Sequence, residues 1–247
     1  MPGCSGLSLV ELLVALAASA LLLSGLIQIA AAASASTQLQ RNQAQMQENA
    51  RLAHQALARA VHQAGFNPQP WNPDFALVGI AESTADGVSE TGDRLVLRSW
   101  SNLNCFDSRN PEVDAFGNPL FYIRESAFDI SSSRSLTHQC RYGPSVSELT
   151  TQIRRQGFIN EIEAFQVLYG EDSDDYDGID TWVRAGHWSS VSDVSGVRVA
   201  LLQSSQDALI APKEQTLRVL DTTINKRADG KLRQVVEFTA AIKGRTG

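Results

Sequence analysis

Six carboxylates crowd into ten residues of this chain, Glu171, Asp172, Asp174, Asp175, Asp177 and Asp180, and such a density self-repels unless a cation or solvent relieves it. Hard oxygen ligands suit calcium, which makes Asp172, Asp174, Asp175 and Asp177 its candidate ligands. The EF-hand spacing is not met, because Gly178 at the sixth loop position puts Ser173 first and Arg184, not Glu, twelfth. A solvated acidic turn is the plainer expectation, so no metal and no cofactor is assigned. His54, His62, His138 and His187 show no zinc-site spacing. On a helix, His54 and His62 would point about 80° apart. No Gly-x-Ser-x-Gly elbow, Gly-rich phosphate loop or Cys-x-x-Cys pair occurs, so no enzyme is expected. Trp71, Trp100, Trp182 and Trp188 could line a sugar or peptide groove, although packing in a core or at strand edges is the simpler account of large aromatics.

The elements that must position these residues are bounded by composition. The chain of 247 residues is 43% apolar, enough for one ordinary domain with a real core plus an appended element. A net charge of −6 and a pI near 5.2, with Lys and Arg scattered apart from Arg154-Arg155 and Lys226-Arg227, leave no basic stripe to neutralise phosphates. No nucleic-acid partner is expected.

Residues 7–33 are an almost unbroken run of Leu, Ala, Val and Ile, with Glu11 as the only charge. As a helix this run is long enough to cross a bilayer. It starts too near Met1 and continues too far for a secretory signal peptide. A carboxylate within such a segment costs on the order of 3 kcal/mol near the centre and less toward an end. Two readings of Glu11 follow, a helix-end carboxylate snorkelling to the headgroups or one that meets a positive charge from a neighbouring subunit.

The string Gly6-Leu7-Ser8-Leu9-Val10-Glu11-Leu12-Leu13 resembles the prepilin cleavage and methylation motif of type IV pilins and type II secretion pseudopilins. Leu7 stands where phenylalanine is usual, and the leader lacks Lys and Arg. The resemblance implies that prepilin peptidase cuts between Gly6 and Leu7, that Leu7 becomes the methylated N-terminus, and that Glu11 is the assembly carboxylate. With Cys4 in the removed leader, Cys105 and Cys140 remain as an even pair. Either they form a disulfide, which suits the periplasm and would contribute about 4 kcal/mol, or they are two buried thiols.

Residues 34–63 contain neither Gly nor Pro and are rich in Ala, Gln, Arg and Leu, so the helix should continue out of the membrane. Met46, Ala50, Ala53, Leu57 and Val61 form one apolar stripe to pack on a globular domain. Gly65 should end the helix, and Pro68, Pro70 and Pro73 should prevent its resumption. Beyond Trp71, alternating runs at 94–100, 120–125, 161–169, 194–202, 216–222 and 233–242 read as antiparallel strands, with a turn at residues 228–231. No fixed-period repeat is apparent.

Gln47-Glu48-Asn49-Ala50-Arg51 followed by Gln63-Ala64-Gly65-Phe66 resembles the PilW family of minor pilins, and J-type pseudopilins share a similar layout. The order of residues 161–170, 182–188 and 196–202 extends the PilW resemblance, which is weak over 76–148. The expected fold is α+β and type IV pilin-like, with a long N-terminal helix laid on one face of an antiparallel sheet. Its parts would be a cleaved leader (1–6), a transmembrane half-helix (7–33), a periplasmic half-helix (34–65) and a β domain (66–247). The implied function is a minor pilin of a type IV pilus, acting in initiation of assembly. Its partners would be other minor pilins, the major pilin, prepilin peptidase, the assembly platform and the inner membrane, with the C-terminal domain periplasmic before it enters the filament. The alternatives are a J-type pseudopilin of a type II secretion system, and an anchored or tip-located ligand-binding or adhesin module.

Overall fold

The computed structural model describes residues 8–87, 92–174 and 178–243. The order of elements is helix α1 (Leu9–Gln63), then strands β1 (Leu95–Ser101), β2 (Tyr122–Ile130), β3 (Leu136–Gly143), β4 (Thr150–Ile159), β5 (Ile162–Glu171), β6 (Thr181–Val183), β7 (Val194–Ala208), β8 (Gln215–Val219), β9 (Thr222–Lys226) and β10 (Lys231–Ala241). Contacts divide the chain into two compact units, Met1–Gln45 and Met46–Gly247.

Within the first unit α1 carries apolar residues on every side, and all of them are exposed or nearly so. Three of its hydroxyls bond back to the helix. Ser19 and Ser24 donate to the Ala15 and Leu21 carbonyls, and Thr37 donates to that of Ala33. Hydroxyls bonded back to the helix in this way can lie in hydrocarbon without a stranded donor.

Within the second unit the stripe on α1 meets a core. Met46, Ala53, Leu57, Ala58 and Val61 are buried, whereas Ala50 of the expected stripe is half-buried. Gly65 adopts a left-handed φ of 71°, and its amide donates to the Arg98 carbonyl at 2.9 Å. The residue that stops the helix therefore also joins it to β1.

The expectation of one sheet is corrected, because the strands form two four-stranded sheets, β1-β2-β3-β4 and β10-β7-β5-β6, with β8-β9 as a separate hairpin. The chain passes between sheets at Glu161, whose φ of 59° turns β4 into β5. One core cluster combines Leu57 and Val61 of α1 with Leu95 and Leu97 of β1, Phe165 and Tyr169 of β5, and Val197 and Leu201 of β7. Ala164, Ala200 and Leu202 belong to the opposite face and pack on Val219 and Ile224 of the hairpin. Strands β5 and β7 are thus covered on both faces, which is why they read as near-continuous apolar runs. The run 216–222 is not one strand, since it bends at Leu220, with φ 53°, between β8 and β9.

Two buried carboxylates fix the unit internally. Glu163 is held at 2.9 Å by Arg233, with Lys226 and Arg134 farther out. Burial would raise its pKa, but these three cations more than offset that and hold it below the ordinary value. Asp93 accepts from the amides of Gly87 at 2.9 Å and Val167 at 2.7 Å, which ties Gly87 and Asp93 to β5. Beside it Gly92 has φ 114°, and a Cβ there would lie 2.1 Å from the Phe165 carbonyl oxygen, so only glycine fits.

Candidate functional site

Glu11 lies in the first turn of α1, where the positive end of the helix dipole favours a carboxylate. Leu12 donates to the Ser8 carbonyl, so helical bonding begins at Ser8. Among the described residues Glu11 has no ion-pair partner, and its neighbours Leu9, Val10, Leu12 and Leu13 are all exposed. α1 is the one described helix long and apolar enough to cross a membrane. Gly6 and Leu7, the expected cleavage and methylation residues, lie outside the described residues.

Cys105 and Cys140 are joined in a disulfide. The bond sits in a small cluster with Tyr142, flanked by Tyr122 and Ile153. It ties the segment after β1 to the third strand, across a sequence separation of 35.

The acidic segment divides. Glu171 turns inward, where it is buried and accepts from the amides of Ser189 and Ser190 at 2.6 and 3.2 Å. Asp172, Asp174 and Asp180 bring carboxylate oxygens within 4.8 Å of one another. Asp180 accepts from the Ser173 amide and hydroxyl, and these bonds hold its pKa below the ordinary value. The candidates Asp175 and Asp177 lie outside the described residues.

Each histidine has a local role. His54 stacks edge-on to Phe238, and His138 stacks on Phe128 with its pKa lowered by burial. His62 Nδ1 is 2.8 Å from the Ala241 carbonyl oxygen, and His187 Nδ1 is 3.3 Å from that of Ala185. Three tryptophans are also engaged. Trp100 donates to the Phe75 carbonyl, Trp182 lies under the Arg198 guanidinium, and Trp188 meets Tyr169 edge-on. Trp71 is 80% exposed.

An open groove of about 590 Å³ lies between α1 and the sheet of β2, β3 and β4, lined by residues including Leu52, Arg59, Phe128 and Phe158. Sequence reasoning passed over Phe116 and Phe106, which are 90% and 64% exposed. The signal that marks them is an Asx residue two positions before each, at a spacing of ten.

Residues 121–243 match the family model described as Type IV Pilus-assembly protein W. The match begins at the residue before β2 and runs through β10. No curated protein and no solved structure matches. This match, together with a long N-terminal helix whose second half packs on antiparallel sheets, supports a PilW-family type IV pilus protein.

Proposed function

We propose that this chain is a minor pilin that takes part in initiating type IV pilus assembly together with other minor pilins. The observation that carries this reading is Glu11 in the first turn of a helix whose apolar first half is exposed on all sides, in a chain of the PilW family. A helix with no polar face has two stable environments, a bilayer or a bundle of like helices. Ala15, Ala17, Ala18, Ala20 and Gly25 would let such helices approach closely. Prepilin peptidase would cut after Gly6 and free the Leu7 amine for methylation. Glu11 would then neutralise the N-terminal amine of a neighbouring subunit as both leave water, an ion pair that is strong in a low-dielectric bundle. The globular unit would lie in the periplasm until the subunit enters the filament.

Deletion of the gene tests the role. Loss of surface pili and of twitching, restored by the wild-type chain and not by Glu11→Ala, is the expected result. Normal piliation with loss of protein secretion would assign the chain to a type II secretion filament as its J-type pseudopilin.

A further inference from the structure

The segment joining β1 to β2 contains a structural repeat that the sequence reading missed. In its first copy the Asn104 amide donates to the Ser108 carbonyl and the Asp107 amide donates to that of Asn104. The Asn104 side-chain oxygen accepts from the amides of Phe106 and Ser108. In its second copy, ten residues on, the Asp114 amide donates to the Asn118 carbonyl and the Gly117 amide donates to that of Asp114. The Asp114 carboxylate accepts from the amides of Phe116 and Asn118.

The fourth residue of each turn is left-handed, Asp107 at φ 56° and Gly117 at φ 82°, as three-residue hairpin loops require. The stems correspond as well, with antiparallel bridges Leu103 to Arg109 and Val113 to Pro119. Each turn presents a phenylalanine at the same position, and both rings are exposed.

The two turns are fixed to one another and to the sheet. Buried Asn110 donates its amide to Asn102 in the first stem, and its side chain donates to the Leu120 carbonyl and accepts from the Glu112 amide in the second. The first turn is fastened by the disulfide to Cys140, by Gln152 accepting from the Cys105 amide, and by Arg124 on Asp107. The second is fastened by the Tyr122 hydroxyl on Glu112. Two exposed aromatics on a frame of this kind lose little entropy on binding, the property of interface anchors.

We infer that the paired turns, through Phe106 and Phe116, dock into an apolar recess with a basic rim on the globular domain of another pilin. The inference rests on the proposed function. The side-chain oxygens of Asn104, Asn110 and Asp114 all accept hydrogen bonds inside the frame, which leaves fewer acceptors to grip sugar hydroxyls. Glu112 and Asp114 outnumber Arg109, and Asp107 is neutralised by Arg124. That balance disfavours an anionic lipid surface and suits a partner that carries Lys or Arg around the pockets. The segment also ends where the family match begins, at residue 121, so the paired turns lie outside the matched stretch.

The test is in-cell photo-crosslinking of the full chain, with a benzoyl-phenylalanine placed singly at 106, at 116, or at position 22 in the apolar run. Expected are adducts from 106 and 116 to the same globular domain of one other pilin, at peptides that include Lys or Arg. F106S combined with F116S should lower co-purification of that pilin by about tenfold or more, with thermal stability of the globular unit unchanged. Adducts to lipid, to a second copy of this chain or to no protein, while position 22 crosslinks to pilins, would overturn the inference and leave the minor-pilin reading standing. Position 22 without a pilin adduct would overturn both.

Discussion

Replacing Asp93 with Asn should flatten the pH dependence of the globular unit's stability. Asp93 is buried between Gly87 and β5, whose amides it accepts from, and desolvation pushes its pKa from 3.8 up to about 6, with Asp86 adding to the rise and the Gly87 and Val167 amides opposing it. Because the folded-state pKa is raised, the fold binds a proton more tightly than the unfolded chain does. Its contribution is therefore complete below pH 3.8 and is lost as pH rises through about 6. A shift of this size corresponds to about 3 kcal/mol in all, and about half of that falls between pH 5 and pH 7.5. Asn keeps one acceptor for the two amides and does not titrate, so its own cost is independent of pH. The assay is urea unfolding of the full chain in detergent at the two pH values, followed by the four tryptophans, all of which lie in the second unit. His138, lowered by burial, contributes with the opposite sign in this window, but equally to both proteins. Asp93→Asn should therefore lose about 1.5 kcal/mol less than wild type between pH 5 and pH 7.5. Equal losses in the two proteins would refute the reasoning.

Three further outcomes are expected. Replacing Cys105 and Cys140 together with Ala should cost about 4 kcal/mol on the chain-entropy estimate for the loop they close, read as a lower urea midpoint, with no effect of reductant on the variant. Arg233→Ala leaves the Glu163 carboxylate buried without its nearest cation and should cost about 3–5 kcal/mol, whereas Arg233→Met with Glu163→Leu should recover most of it; equal losses in both would show that packing, not charge, dominates there. Millimolar calcium or its chelation should leave the thermal midpoint unchanged, since Asp180 is already bonded to Ser173; a rise of several degrees with calcium would assign a metal to Asp172, Asp174 and Asp180.

The sequence is most informative where one physical demand dominates. The nearly unbroken apolar run and the stripe from Met46 to Val61 reveal the helix because a bilayer and a core each impose a simple pattern. Strands β5, β7 and β10 were legible because they carry core residues, and Gly65 because only a left-handed residue ends the helix there. Strand β4 was missed because most of its residues are exposed, so an edge strand rich in Gln and Arg shows no alternation. Two sheets could not be told from one, since the division depends on the turn at Glu161, where nothing in the residue type announces a left-handed backbone. The inward turn of Glu171 was hidden because its partners are backbone amides eighteen and nineteen residues away. The paired turns went unnoticed because their likeness lies in hydrogen bonding, and only Asx-x-Phe at a spacing of ten survives in sequence.

The most direct test of the central claim is mass spectrometry of the N-terminal peptide of the chain extracted from membranes. A minor pilin of this sequence should begin at Leu7, carry one methyl group on its amine and lack residues 1–6. Retention of Met1, or a mature N-terminus near Ala33, would contradict the account.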